Sequence, residues 1–231
     1  MTTRAVLFDL GNTLVGYYTS AEFPGVLQRC LRECAEAQGL PEDSARERES
    51  YDRALLLNRE RSDYAVRPLI GRLERLFGAT ASPDNLVAAF LKPIFSMARL
   101  DPHALFVLDA LRSAGIKTGI VSNTPWGSPA DAWRKELKRH GLLDRVDATV
   151  FCMDVGWRKP HRAPFDRALS LLGVGPDEAM FVGDDPRWDT VGAQGAGIRP
   201  VLLVPSSGDS VDDHLRIHDL RGIIALVQAA G

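Results

Sequence analysis

A short apolar run, Ala5-Val6-Leu7-Phe8, ends directly on the carboxylate of Asp9, and the next strand-like segment comes only after a long stretch, Tyr17 to Arg99, that carries none. A four-residue strand cannot stand alone, because its backbone donors and acceptors need partners. Those partners must come from the C-terminal half. Two independent tandem domains would leave Ala5 to Phe8 unpaired, so the chain reads as one sheet interrupted by an insert. The C-terminal half alternates strand candidates with helix candidates, as a parallel α/β sheet requires. The strands are Ile116 to Val121, Ala148 to Phe151, Ala179 to Val182 and Pro200 to Val204. Helices are expected at Ala104 to Ala114, Asp131 to His140, Ala163 to Leu172, Thr190 to Ala196 and Leu220 to Ala229. Gly115, Gly141, Gly173 and Gly197 stand where helices end. From Tyr17 to Arg99 the periodicity is helical, broken at Gly39-Leu40-Pro41, Gly78 and Ser82-Pro83. The expected fold class is α/β, a doubly wound parallel sheet (Rossmann-like core) from residues 1–16 and 99–231, with an all-helical module over 17–98.

Charge and composition narrow the partners. Hydrophobic residues are 45%, charged residues 25% and the formal charge is -2, so no electrostatic reason exists to expect nucleic acid, which selects clustered Lys and Arg. The arginines from Arg46 to Arg75 alternate with Glu47, Glu49, Glu60 and Asp63, which reads as a solvated helix surface. No stretch approaches the roughly 20 apolar residues that cross a bilayer, and Met1 to Arg4 lead into an apolar run too short for a secretory signal. Cys30 and Cys34 share an apolar helical stripe with Val26, Leu27 and Leu31. A soluble protein of the reducing cytoplasm, monomeric or homodimeric, is expected.

Four segments carry candidate chemistry. Phe8-Asp9-Leu10-Gly11-Asn12-Thr13-Leu14 places a carboxylate at the C-terminal end of a strand, where open α/β sheets bind ligands. Gly119-Ile120-Val121-Ser122-Asn123-Thr124 ends a strand in a hydroxyl and an amide. Gly156-Trp157-Arg158-Lys159-Pro160 puts a cation just beyond a third strand. Phe181-Val182-Gly183-Asp184-Asp185-Pro186-Arg187-Trp188-Asp189 ends a fourth in three acids, which repel unless a cation compensates. A lone strand-end Asp is usually a turn or cap residue. Together the four strand ends converge on one edge.

In this order and spacing, the four segments resemble the four motifs of the haloacid-dehalogenase-like hydrolases, most of them phosphatases, and the helical module looks like that family's small cap. The resemblance covers Ala5 to Val204, and Lys159-Pro160 and Gly183-Asp184 to Asp189 match most closely. It implies Asp9 as the nucleophile that forms an aspartyl-phosphate and Thr13 as a support for its loop. Ser122 would bond a phosphoryl oxygen, with Asn123 and Lys159 also binding substrate and Lys159 holding Asp9 ionised. Mg²⁺ would be held by Asp9, the Gly11 carbonyl and Asp184, with Asp185 or Asp189 behind. The substrate would be a small phosphate ester or acyl phosphate, chosen by the cap, with hinges near Gly16 and near Arg99 to Pro102.

One departure stands out. The family's phosphatases usually carry a second Asp two positions beyond the nucleophile as general acid and base, a role typically worth ~10²–10⁴-fold; here that position is Gly11. Tyr17, Tyr18, Arg59, Arg61, Asp63 and Tyr64 are candidates to replace it, or the substrate has a leaving group that needs no acid. Two other readings remain: a metal-independent 2-haloacid dehalogenase, which Asp184 and Asp185 disfavour, and a non-catalytic binding protein on this fold. Trp157 and Trp188 are expected either to border the site or simply to pack its loops together, and Trp133 is expected to cover apolar surface.

Overall fold

The computed structural model describes residues 2–59, 63–204 and 215–229. Strand β1 (Ala5–Phe8) is followed by the two-residue β2 (Val15–Gly16), then by α1 (Phe23–Ala37), α2 (Ser44–Arg59), α3 (Leu69–Phe77) and α4 (Pro83–Ser96). The short β3 (Arg99–Leu100) returns the chain to α5 (Ala104–Ser113), β4 (Lys117–Ser122), α6 (Ala130–Arg139), β5 (Ala148–Phe151), α7 (Cys152–Val155) and α8 (Ala163–Leu172). Then come β6 (Ala179–Gly183), α9 (Val191–Gly195), β7 (Arg199–Leu203), β8 (Leu215–Ile217) and α10 (Gly222–Ala229).

β1 finds its partners across the insert. The six-stranded sheet runs β5-β4-β1-β6-β7-β8 with every pairing parallel. All four β1 residues are buried, as strands covered on both faces must be. Val6 and Phe8 join the apolar cluster that includes Leu108, Leu137 and Ile223, whereas Ala5 and Leu7 join Phe165, Leu169 and Ala193 on the other face. Helices α5, α6 and α10 thus cover one side and α8 and α9 the other. The four expected strands fall within one residue of their places, and the sheet gains β8 as an edge.

Among the described residues the insert holds four helices, with α1 and α4 packed along each other. Val26, Leu27, Cys30, Leu31 and Cys34 form the buried stripe of α1. Gly16 and Arg99, at the expected hinges, pair with each other in the antiparallel ribbon β2-β3. The arginine-rich stretch is only partly a solvated surface. Arg53 pairs with Glu49, and Arg32 reaches Glu47 from α1. Arg72, in contrast, is buried on the same face of α3 as Leu69, Leu73 and Leu76, with its guanidinium carbon 5.4 Å from the Trp126 ring centroid. An arginine stem packs as an apolar group, and the ring face receives its charge.

Candidate active site

Register decides what meets at the sheet edge. Phe8 pairs with Ile120 of β4 and with Val182 of β6, so Asp9, Ser122 and Asp184 emerge together at the C-terminal ends of three adjacent strands. The Asp9 amide donates to the Val182 carbonyl at 2.8 Å, which anchors the loop at its first residue. Asn12 adopts a positive φ of 56°, a conformation that asparagine tolerates better than most residues. Its side chain accepts from the Tyr17 amide and donates to the Tyr18 carbonyl, closing the turn around Gly11. Thr13 is buried behind this turn, 2% exposed, and its hydroxyl has no hydrogen-bond partner among the described residues.

Lys159 reaches the edge from the loop beyond α7. Its Nζ donates to Asp9 Oδ1 and to Asp189 Oδ1, both at 2.7 Å. Burial alone would drive its pKa down; the Asp189 and Asp9 carboxylates outweigh it and hold the pKa above the ordinary lysine value. Asn123 fixes the main chain here, donating to the Lys159 carbonyl and accepting from its amide. Asn123 is therefore a clamp on the lysine loop, and it also lines the cleft.

The acid cluster comprises Asp9, Asp184 and Asp189, which can each offer an oxygen within 4.8 Å of the others. Asp185 does something else: its carboxylate accepts from the Arg187 amide and pairs with the Arg187 guanidinium. Asp189 returns to the edge through a wide helical turn, Pro186–Thr190, in which Asp185 caps the start. The turn presses Asp189 onto Gly183, where an added Cβ would lie 2.3 Å from Asp189 Oδ2. Burial, then repulsion from Asp9 and Asp189, pushes the Asp184 pKa up to about 7. Burial likewise raises Asp189, against the pull of Lys159. Three acids thus face one buried cation, and the donor set of hard oxygens with surplus negative charge fits a divalent ion such as Mg²⁺.

These groups line a cleft of ≈ 340 Å³ that also takes in Ser122, Arg158 and, from the insert side, Tyr17, Tyr18 and Phe23. Trp188 and Trp133 border it; Trp157 does not, lying 38% exposed and stacked on His161. Trp133 covers apolar surface as expected, packed edge-on against Phe95 and beside Phe151, and its indole also donates to Ser128 Oγ at 2.8 Å. Of the candidates to replace an acid at Gly11, Tyr17 and Tyr18 reach the cleft, and burial raises both phenol pKa values. Asp63 instead accepts from the Ala65 amide, and Tyr64 packs edge-on against Trp188. The Arg59 side chain and Arg61 lie outside the described residues. Sequence reasoning missed Arg158 and Cys152, whose sulfur accepts from the Thr124 amide beneath the Ser122 strand end.

A carboxylate, a buried lysine, a strand-end hydroxyl and an acid cluster thus meet on one parallel-sheet edge. The chain belongs to the haloacid dehalogenase-like hydrolases, whose family model matches residues 3–197. It is 32% identical over 205 residues to the phosphoglycolate phosphatase of Rhodospirillum rubrum, covering 87% of this chain and 79% of that protein. A HAD phosphatase from Thermococcus onnurineus superposes with a TM-score of 0.68 at 26% identity, covering 97% of this chain and 98% of that one. A 2-haloacid dehalogenase from Pseudomonas syringae pv. Tomato DC3000 shares the fold, with a TM-score of 0.71 at 24% identity over the full length of both chains. Among the described residues no helix is long and apolar enough to cross a membrane. The protein is a hydrolase of the phosphatase type.

Proposed function

We propose that this protein is a Mg²⁺-dependent phosphatase of small metabolites that works through an aspartyl-phosphate on Asp9. The observation that carries the reading is Lys159 Nζ, shared at 2.7 Å between Asp9 and Asp189. Lys159 sets its positive charge beside the Asp9 carboxylate, and Asp189 holds that lysine in place. Asp9 Oδ1 is taken by Lys159, whereas Oδ2 makes no protein hydrogen bond among the described residues and is left to attack phosphorus. Ser122, at the end of β4, would donate to a phosphoryl oxygen, and Asn123 keeps the lysine loop aligned. Asp9, Asp184 and the Gly11 carbonyl would hold Mg²⁺, with Asp189 behind them; the ion supplies charge neutralisation to the phosphoryl group.

Leaving-group protonation is the weak step, since Gly11 offers no carboxyl. Substrates whose leaving group departs without a proton, such as acyl or anomeric phosphates, suit this site best. Three clustered acids also favour this reading over metal-free dehalogenation, because carboxylates so close repel one another without a cation. The insert, residues 17–98, serves as the cap that excludes water and chooses the substrate, with residues 1–16 and 99–231 as the catalytic core. Phosphate release from a panel of acyl, sugar and p-nitrophenyl phosphates, with Mg²⁺ and with EDTA, tests it. Metal-dependent release that disappears in a folded Asp9→Asn variant is the expected result. Turnover persisting in that variant at the wild-type rate would overturn the nucleophile assignment.

A further inference from the structure

Two arginines flank the ring of Trp188 at the rim of the cleft, and their surroundings differ. Arg187, with its guanidinium carbon 5.8 Å from the ring centroid, is neutralised by Asp185, which it meets at 2.9 Å. Arg158 lies 5.2 Å from the same centroid, lines the cleft, and forms no ion pair among the described residues. Its Nε is buried without a hydrogen-bond partner. A guanidinium nitrogen withdrawn from water and left without an acceptor is costly, and the indole face beside it restrains the half-buried side chain, whose remaining fork suits a bidentate anion. The charge is also placed where it matters, because Arg158 directly precedes Lys159, whose Nζ bonds the nucleophile.

The main chain around Arg158 is held from both sides. Its amide donates to the Tyr64 carbonyl at 2.8 Å, the Val66 amide donates to the Gly156 carbonyl, and Ala65 and Trp157 form an antiparallel bridge. Asn123 grips the next residue. Position 158 is thus fixed between the insert's 64–66 segment and the catalytic lysine. We propose that Arg158 is a specificity-determining residue: it binds a second anionic group of the substrate, a carboxylate or a second phosphate, one short linker away from the phosphoryl group on Asp9. The inference rests on the phosphatase reading and deepens it, giving the substrate class as small phosphates with two anionic ends.

The deciding measurement is binding, made in the Asp9→Asn background so that turnover does not interfere. Calorimetric Kd values are taken with Mg²⁺ for 2-phosphoglycolate, a short-chain bisphosphate and ethyl phosphate, with Arg158 present and with Arg158→Met, which keeps the stem against Trp188. The preference for a doubly anionic ligand over ethyl phosphate should collapse by roughly 10–100-fold in Arg158→Met, the scale of a charge-assisted bidentate contact, and Arg158→Lys should restore only part of it. Loss for 2-phosphoglycolate alone identifies a carboxylate as the second anion; loss for the bisphosphate alone identifies a phosphate. A preference that is absent with Arg158 present, or that survives Arg158→Met, overturns the proposal. Turnover by the wild-type protein is recorded separately: its absence would sink the phosphatase reading while the binding ratio still decides the role of Arg158.

Discussion

Lys159 and Arg72 are both withdrawn almost completely from water, 1% and 4% exposed, yet they belong to different kinds of structure. Lys159 sits at the sheet edge between two carboxylates at 2.7 Å, with its own main chain bonded to Asn123. Arg72 sits in the helical insert among leucines and over an indole face. The first environment is built of directional contacts, each naming a partner type and a distance. The leucines and the indole around Arg72 add shape and area, which many residue combinations satisfy. Core-edge positions therefore encode a reaction, and insert positions encode a volume.

Breaking the first kind of contact should cost most. Lys159→Met removes the only cation bonded to Asp9 and Asp189 among the described residues. Turnover is expected to fall on the order of 10³-fold, and stability by about 3–5 kcal/mol, the scale for stripping one partner from a buried ion pair. Steady-state assays and urea denaturation in EDTA read both. A variant as stable as the wild type would show that the carboxylates relax or protonate, and that the edge is less rigid than its distances imply.

The matching perturbation of the insert is Phe90→Ala. Phe90 is 1% exposed on α4 and stacks on Trp126 from the core, ring centroids 5.7 Å apart. The expected loss is about 3 kcal/mol from the cavity and the lost contact. Because the ring lies at the joint between insert and core, calorimetry should show whether the two still melt together. A single transition at lower temperature keeps them one cooperative unit; two transitions would separate them.

What was legible in the sequence follows the same division. Asp9, Ser122 and Asp184 were readable because strand ends in a parallel sheet converge, so sequence position translates directly into place; Lys159, which arrives from the loop beyond α7, was readable only as part of its motif. Asp185 and Asp189 were not separable, since a wide turn after β6 decides which carboxylate faces the cluster, and that turn has no periodic signal. The two-residue strands β2 and β3 carry no alternation to detect. Trp133 was legible as apolar cover although the charges on α6 surround its buried stripe of Ala130, Trp133, Glu136 and Leu137; its hydrogen bond to Ser128 was not, because no spacing marks it. The insert's helices were visible as periodicity, but the buried role of Arg72 was not, because an arginine on a helix face is usually solvated.

A smaller effect separates the charge built into the edge from the apolar packing around it. The Asp184 carboxyl is raised from 3.8 to about 7 by burial and by its acidic neighbours. A carboxyl whose folded pKa lies above its unfolded value binds its proton more tightly in the folded state. It contributes stability that is present below about pH 4 and lost as pH rises through about 7. In EDTA, Tm should fall across that window, more steeply for the wild type than for Asp184→Asn. The Tm gain from Mg²⁺ should grow from pH 5 to pH 8, because the ion competes with that proton. Equal slopes for the two proteins would remove Asp184 from the acid cluster.

The smallest expected effect concerns Gly11, where the edge lacks the one directional group that the family's phosphatases usually carry. The position has room: a Cβ built there meets nothing within 4 Å, and its backbone does not require a glycine. Gly11→Asp should therefore fold and place a carboxyl at the mouth of the cleft beside Asp9. If protonation of the leaving group limits turnover, ethyl phosphate hydrolysis should rise by about tenfold, less than the full benefit of a well-aligned acid. p-Nitrophenyl phosphate, whose leaving group departs without help, should change little. The ratio of the two responses is the informative quantity, because a general electrostatic change would move both together. An equal response, or none, would show that a group already in the cleft donates the proton. Tyr17, whose phenol is held protonated by burial, is then the next residue to remove, as Tyr17→Phe.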